Sequence, residues 1–252
     1  MLLAIDVGNT NIVLGVMDGK EIVVSGRFAT NIYETDAEYA IKLQAFLTIH
    51  KCDKIDGAII SSVVPALVQT LRRAVKLATE QDAMIVAPGI KTGLSIKTDD
   101  PSEVGADMVA GAVAAKEKYP LPIIIFDLGT ATTGSVIGKN GDFLGAIITG
   151  GVKTTINTLS SGTALLPQID LTPPKRVIGT NSADSMKAGA LIGTACMLDG
   201  LVDRFEDELG EKATVVITGG LGRQIGKNCK KDVIIDDNLL IDGLRIIYDK
   251  NK

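Results

Sequence analysis

One passage occurs twice in this chain, and any fold it adopts must give that passage two equivalent places. The first copy reads Leu2-Leu3-Ala4-Ile5-Asp6-Val7-Gly8-Asn9-Thr10-Asn11, then the apolar Ile12 to Val16, the turn Asp18-Gly19 and a strand from Glu21 to Val24. The second reads Ile123-Ile124-Ile125-Phe126-Asp127-Leu128-Gly129-Thr130-Ala131-Thr132-Thr133, then Ser135-Val136-Ile137, Asn140-Gly141 and Phe143-Leu144. Each is strand, polar turn, strand, tight turn, strand. Asp-Gly and Asn-Gly favour two-residue hairpins because both central positions take positive φ. A repeat of this kind predicts two similar meanders, one in each half of the chain.

The segments between the copies carry helix signals. Thr35-Asp36-Ala37-Glu38 is a capping box before the periodic run Tyr39 to Ile49, and Pro65 opens a helix to about Ala78. Asp100-Pro101-Ser102-Glu103 predicts a further capping box, with its helix running through the alanine-rich stretch to Lys118. Tyr119-Pro120-Leu121-Pro122 then breaks the pattern and divides the chain into lobes 1–118 and 119–252. A long helix is predicted from Ser182 to Leu209, ended by Gly210, and the strand Thr214 to Ile217 runs into Thr218-Gly219-Gly220. Both lobes read as α/β, each a mixed sheet flanked by helices.

Composition removes several classes of function. The net charge of −4, with lysines dispersed among acids, provides no basic surface for nucleic acid. The apolar runs are strand-length and predict no membrane span, and Met1 to Asp6 lacks the basic region of a signal peptide and reads as a first strand. Cys52, Cys196 and Cys229 form no CxxC, which predicts reduced packing thiols in a cytoplasmic protein.

An aspartate at the end of a buried strand, two residues before a glycine, sets one anion beside backbone N–H groups that a phosphate can approach closely. The carboxylate repels phosphate directly, so its useful partner is a cation bridging to a nucleotide. Asn9, Thr10, Asn11, Thr130, Thr132 and Thr133 add amides and hydroxyls around the two turns. A lone Asp-x-Gly reads better as a plain turn; two copies with the same flanking strands favour a triphosphate held from both sides. Gly220 to Asn228 resembles a P-loop but has Leu221 and Asn228 where glycine and a hydroxyl residue are required. Thr218-Gly219-Gly220 reads equally as a tight turn or as a loop passing close to an adenosine. Gly189 and Gly193, four apart on the long helix, predict close helix packing, inside the second lobe or across a dimer interface, which spacing does not separate.

Asp107 stands apart from the other acids of its segment. Counted from the box at Asp100 it falls in the second turn, beyond the free N–H groups, among small apolar neighbours. It is either a proton acceptor for a substrate hydroxyl attacking a γ-phosphate or a solvated helix aspartate, and spacing alone does not separate the two.

Asp6-Val7-Gly8-Asn9-Thr10-Asn11, Ser61-Ser62-Val63-Val64-Pro65, Glu103-Val104-Gly105-Ala106-Asp107, Asp127 to Thr133, Val177 to Ser182 and Thr218-Gly219-Gly220, in that order, resemble the type III pantothenate kinases over nearly the whole chain. The resemblance implies an actin-like, ribonuclease H-like fold, usually a homodimer. It implies phosphorylation of pantothenate, a small-molecule substrate, with ATP, Mg²⁺ and a monovalent cation, K⁺ or NH₄⁺. It implies ATP binding by Asp6, Val7, Gly8, Asn9, Thr10, Asn11, Ile12, Val13 and Thr130, proton acceptance by Asp107, the monovalent cation on Asp127, and substrate contacts from Gly105, Ala106, Asp107, Met108 and Ser182. Four positions depart from the family pattern: Met108 for an arginine, Thr98 for a tyrosine, Gly150-Gly151 for Pro-Gly, and Ser182 for a threonine, where Ser182 also reads as the N-cap of the long helix. Because the departures fall on the acceptor side, a kinase for another small alcohol and a regulatory nucleotide-binding paralogue stay open at this point.

Overall fold

In a computed structural model, which describes residues 1–52 and 54–252, the first repeat forms β1 (Leu2–Val7), β2 (Asn11–Asp18) and β3 (Glu21–Ala29), paired antiparallel in sequence order. β1 and most of β2 are buried, whereas β3 alternates exposed and half-buried residues along its length, as a strand with one wet face does. After α1 (Asp36–Ile49) the chain returns as β4 (Gly57–Ser62), parallel to β1. After α2 (Pro65–Thr79) it adds β5 (Ala83–Ile85), giving the order β3-β2-β1-β4-β5. The capping box that begins α1 is formed: Thr35 Oγ1 accepts the Glu38 N–H at 3.3 Å and Glu38 Oε2 accepts the Thr35 N–H at 2.8 Å.

The second sheet contains β6 (Ser95–Ile96), β7 (Ile123–Leu128), β8 (Ala131–Ile137), β9 (Asp142–Gly150), β10 (Thr214–Thr218) and β11 (Ile234–Ile235), in the order β11-β10-β7-β8-β9-β6. The two meanders match: Asp6 lies opposite Ser61 on the parallel neighbour of β1, and Asp127 lies opposite Thr218 on the parallel neighbour of β7. The tight turns need less than expected. Only Gly19 and Gly141 take positive φ, at 59° and 75°, and the preceding Asp18 and Asn140 do not.

The chain divides into two units that a single cut after Lys118 does not describe. Unit 1 is Met1–Leu94, Asp99–Glu117 and Asn238–Lys252; unit 2 is Ser95–Thr98 and Lys118–Asp237. After the short α7 (Gly222–Gly226), the last segment belongs to unit 1 because α8 (Leu239–Asn251) buries Leu239, Ile241, Leu244, Ile246 and Ile247 there. One face of β1, Leu3, Ile5 and Val7, packs with Leu43 and Leu67 of α1 and α2. α8 covers the other face, and glycine makes the contact possible. A Cβ on Gly15 would lie 2.6 Å from Ile241, and one on Gly57 would lie 1.9 Å from the Tyr248 hydroxyl.

Two helix boundaries differ from the sequence expectation. Asp100 accepts the Ser102 N–H but caps only a single 3₁₀ turn, Pro101–Glu103; Val104 is then extended (φ −72°, ψ 119°), and α3 starts afresh and spans Ala106–Lys118. The long helix is continuous but internally irregular, with α5 (Ser182–Ala188), a π stretch at Gly189–Gly193 and α6 (Thr194–Leu209), closed by Gly210 at φ 72°. Its N-cap is Asn181, whose side chain accepts the Asp184 N–H, and not Ser182. Nothing lies within 4 Å of a Cβ built on Gly189 or Gly193, so neither serves close helix packing inside unit 2. By length and composition Ser182–Leu209 is apolar enough to cross a membrane. It nonetheless buries Leu191, Ala195, Leu198 and Val202 in one core with Phe126 and Ile217, as a core helix does. Of the thiols, Cys52 is buried in the first core and the half-buried Cys229 packs against the second, whereas Cys196 is exposed.

Candidate active site

The two repeated turns are built on the same plan with different loop lengths. In the first, Val7 pairs with Ile12, leaving Gly8, Asn9, Thr10 and Asn11 between them, closed by the Gly8 N–H on the Asn11 carbonyl at 3.0 Å. Asn9, Thr10 and Asn11 are exposed, Ile12 is buried, and Asp6, Gly8 and Val13 are half-buried. In the second, Leu128 pairs with Thr132, so the loop is one residue shorter, with the Gly129 N–H on the Ala131 carbonyl at 3.0 Å and Thr130 exposed at its tip. Both loops thus hold the strand-end aspartate half-buried beneath an exposed rim of amide and hydroxyl groups.

Glycines fix the second loop from two sides. Gly219 follows β10 at φ 90°, and a Cβ there would lie 2.4 Å from Asp127 Oδ1 and 2.6 Å from the Leu128 nitrogen. The close approach that Thr218-Gly219-Gly220 permits is therefore to Asp127 itself. Gly151 precedes α4 (Val152–Gly162), and a Cβ there would lie 2.2 Å from the Thr130 carbonyl oxygen. Sequence patterning does not reveal either contact, since each depends on what the fold brings opposite a glycine.

Asp107 occupies the first turn of α3, a correction to its expected second-turn place that follows from the break at Val104. Its Oδ1 accepts the Met108 N–H at 2.7 Å, and the carboxylate also accepts its own backbone N–H. Burial pushes its pKa up, against the smaller opposing effect of those N–H groups. Room for this conformation comes from Gly105, where a Cβ would lie 2.4 Å from Asp107 Oδ1 and 3.5 Å from the Met108 methyl. Ala106 completes the turn. A half-buried carboxylate without a cationic partner is a stronger base than a solvated one, which fits proton acceptance better than a bland surface role.

Ser182 is exposed at the start of α5 and, with Thr149, Gly150, Thr180, Gly189 and Gly193, lines a groove of about 840 Å³ in unit 2. Asp6 and Gly105 to Met108 thus belong to unit 1, and Asp127, Thr130 and Ser182 to unit 2. Thr98, the departure named above, has its hydroxyl buried without a hydrogen-bond partner, as have Ser61 opposite Asp6 and Thr132 opposite Leu128. Among the described residues no group of three or more His, Cys, Asp or Glu side chains forms a metal cage. Single carboxylates such as Asp6 and Asp127 suit a cation held largely by phosphate and water, the usual manner of Mg²⁺ at a nucleotide.

Comparison with known proteins gives the same direction. A family model described as type III pantothenate kinase matches residues 2–204. A type III pantothenate kinase of Exiguobacterium sibiricum is 42% identical, with 100% of each chain covered. Among solved structures, the activator of 2-hydroxyisocaproyl-CoA dehydratase from Clostridium difficile with bound ADPNP superposes with a TM-score of 0.55 at 12% identity, over 99% of this chain and 94% of that one. The ROK hexokinase of Thermus thermophilus gives 0.50 at 14% identity, over 100% and 99%. The fold is the α/β fold of the actin-like ATPases and sugar kinases.

Proposed function

The chain belongs to the type III pantothenate kinase family and phosphorylates pantothenate with ATP, the first step of coenzyme A biosynthesis, and from that premise we propose how its residues divide the reaction. Asp107 accepts the proton of the pantothenate hydroxyl as that oxygen attacks the γ-phosphorus, and the single observation carrying this is a half-buried carboxylate hydrogen-bonded only by its own helix backbone. Gly105, Ala106, Met108 and Ser182 contact the acceptor. The segment from Asp6 to Val13 and Thr130 bind ATP through exposed amides, hydroxyls and loop N–H groups.

Mg²⁺, when bound, neutralises charge on the β- and γ-phosphates. Asp127 holds the monovalent cation, K⁺ or NH₄⁺, a role supported by its half-buried carboxylate beside the bare backbone of Gly219. The enzyme is a cytoplasmic homodimer. Large apolar side chains left in water on unit 2, Leu165 at 90%, Ile178 at 80% and Ile148 at 69% exposed, support association.

ADP release by the purified protein with ATP, Mg²⁺, K⁺ and pantothenate tests the assignment. Asp107→Asn is expected to lower kcat by about 10²–10⁴-fold and to leave ATP affinity unchanged. Wild-type turnover in that variant removes Asp107 from the base role.

A further inference from the structure

Each nucleotide turn is tied down by a threonine hydroxyl arriving from just beyond the third strand of its meander. In the first half Thr30, the residue after β3, donates its Oγ1 hydrogen to the Gly8 carbonyl at 2.7 Å, while its own N–H reaches the Thr10 carbonyl at 3.0 Å. In the second half Thr154, in the first turn of α4 after β9, donates its Oγ1 hydrogen to the Thr130 carbonyl at 2.8 Å. Nothing in the local sequence marks either residue: Thr30 follows a strand, and Thr154 sits at an exposed helix position. We propose that Thr30 and Thr154 are paired positioning residues that hold the two loops in the shape that binds ATP, an inference resting on the assignment of Asp6 to Val13 and Thr130 to the nucleotide.

The support behind each hydroxyl argues for a device and not a stray surface bond. Beside Thr30, the backbone of Asn31 is clamped by the fully buried Tyr39, whose Oη donates to the Asn31 carbonyl at 2.9 Å and accepts its N–H at 3.0 Å. Tyr39 is in turn fixed in the first turns of α1, behind the capping box. Beside Thr154, Gly151 presses its bare backbone against the Gly129 and Thr130 carbonyls, so the start of α4 is seated directly on the loop. The two halves reach the same result by different means: Thr30 is an extension of the strand, whereas Thr154 sits on a helix, and the carbonyl it holds is one position further into the loop.

A loop that must present several N–H groups and hydroxyls to one polyphosphate loses affinity when it can sample other shapes, because ordering then happens at binding. Removing one such hydroxyl costs about fivefold in the equilibrium it supports, and the two, in separate units, multiply to about 25-fold. The experiment is steady-state kinetics on Thr30→Val, Thr154→Val, the double variant and the corresponding Thr→Ser variants, with thermal unfolding on each. The expected result is a rise in KM for ATP of about fivefold for each valine, about 25-fold for the pair, with KM for pantothenate unmoved and serine restoring the wild-type value. Unchanged KM for ATP in the double variant overturns the inference, and so does a parallel rise of both KM values accompanied by a fall in Tm that serine fails to rescue. Thr130→Ala separates the inference from its premise. If that variant binds ATP normally, the nucleotide assignment of the second loop fails; if it weakens ATP while Thr154→Val does not, only the positioning role fails.

Discussion

Replacing Gly219 by alanine probes how tightly the end of β10 is seated on the strand-end aspartate. Two costs are separable. The first is backbone: at φ 90° an L-side chain is strained, worth about 1–2 kcal/mol. The second is contact: the new methyl would lie 2.4 Å from Asp127 Oδ1, 2.6 Å from the Leu128 nitrogen and 2.8 Å from its carbonyl carbon. Packed heavy atoms sit about 3.5–4.0 Å apart, so the loop or the strand end has to retreat by about 1 Å, and overpacking of that kind costs about 1–3 kcal/mol. Gly210→Ala is the matched control, because Gly210 has φ 72° with nothing within 4 Å of its Cβ position and so carries only the backbone cost. Differential scanning fluorimetry is expected to place the Tm of Gly219→Ala below that of Gly210→Ala by about 2–4 °C per kcal/mol of contact cost. Because Asp127 and Leu128 are displaced, kcat/KM for ATP is expected to fall by about 100-fold in Gly219→Ala alone. Equal Tm values and equal ATP kinetics in the two variants would refute the close seating of Gly219 on Asp127.

Two further outcomes follow from the surroundings of Asp107. A Cβ on Gly243 would lie 1.9 Å from the Ala110 carbonyl oxygen, where α8 crosses the helix that carries Asp107. Gly243→Ala is expected to destabilise the protein by about 1–3 kcal/mol and to lower kcat more than it raises KM for ATP, which chemical unfolding and initial rates together measure. Burial raises the folded-state pKa of Asp107 above its unfolded value, so its contribution is most favourable below the unfolded pKa and is lost as pH rises through the folded one. Asp107→Asn is therefore expected to raise Tm at pH 7.5, with the gain shrinking toward pH 4. The acid limb of the wild-type kcat/KM profile is expected above the ordinary aspartate range; a limb near pH 3.9 would contradict the raised pKa.

Much of the fold is legible in the chain because its signals are local. The repeated apolar strands, the capping box at Thr35 and Glu38, the proline at the start of α2 and Gly210 at the end of α6 each act within a few residues, and each forms as read; the tight turns form where expected, with positive φ at the glycine alone. The two strand-end aspartates are placed by the same local logic, since Asp6 and Asp127 occupy corresponding positions in two matching meanders. Local reasoning failed where two local signals competed. Asp100 caps a turn as expected, but the extended Val104 restarts the helix and moves Asp107 from the second turn to the first.

Spacing and residue type were enough for the doubled meander, the residue types at its turns and a carboxylate on an alanine-rich helix. Only the folded chain places α8 back in unit 1, seats Gly219 on Asp127, and brings the hydroxyls of Thr30 and Thr154 to the two loops. These three share one cause. A hydrogen bond or capping signal between near neighbours is written in spacing, but the meaning of these residues lies in the atoms the fold brings opposite them, 22 residues away between Thr30 and Gly8 and 24 between Thr154 and Thr130.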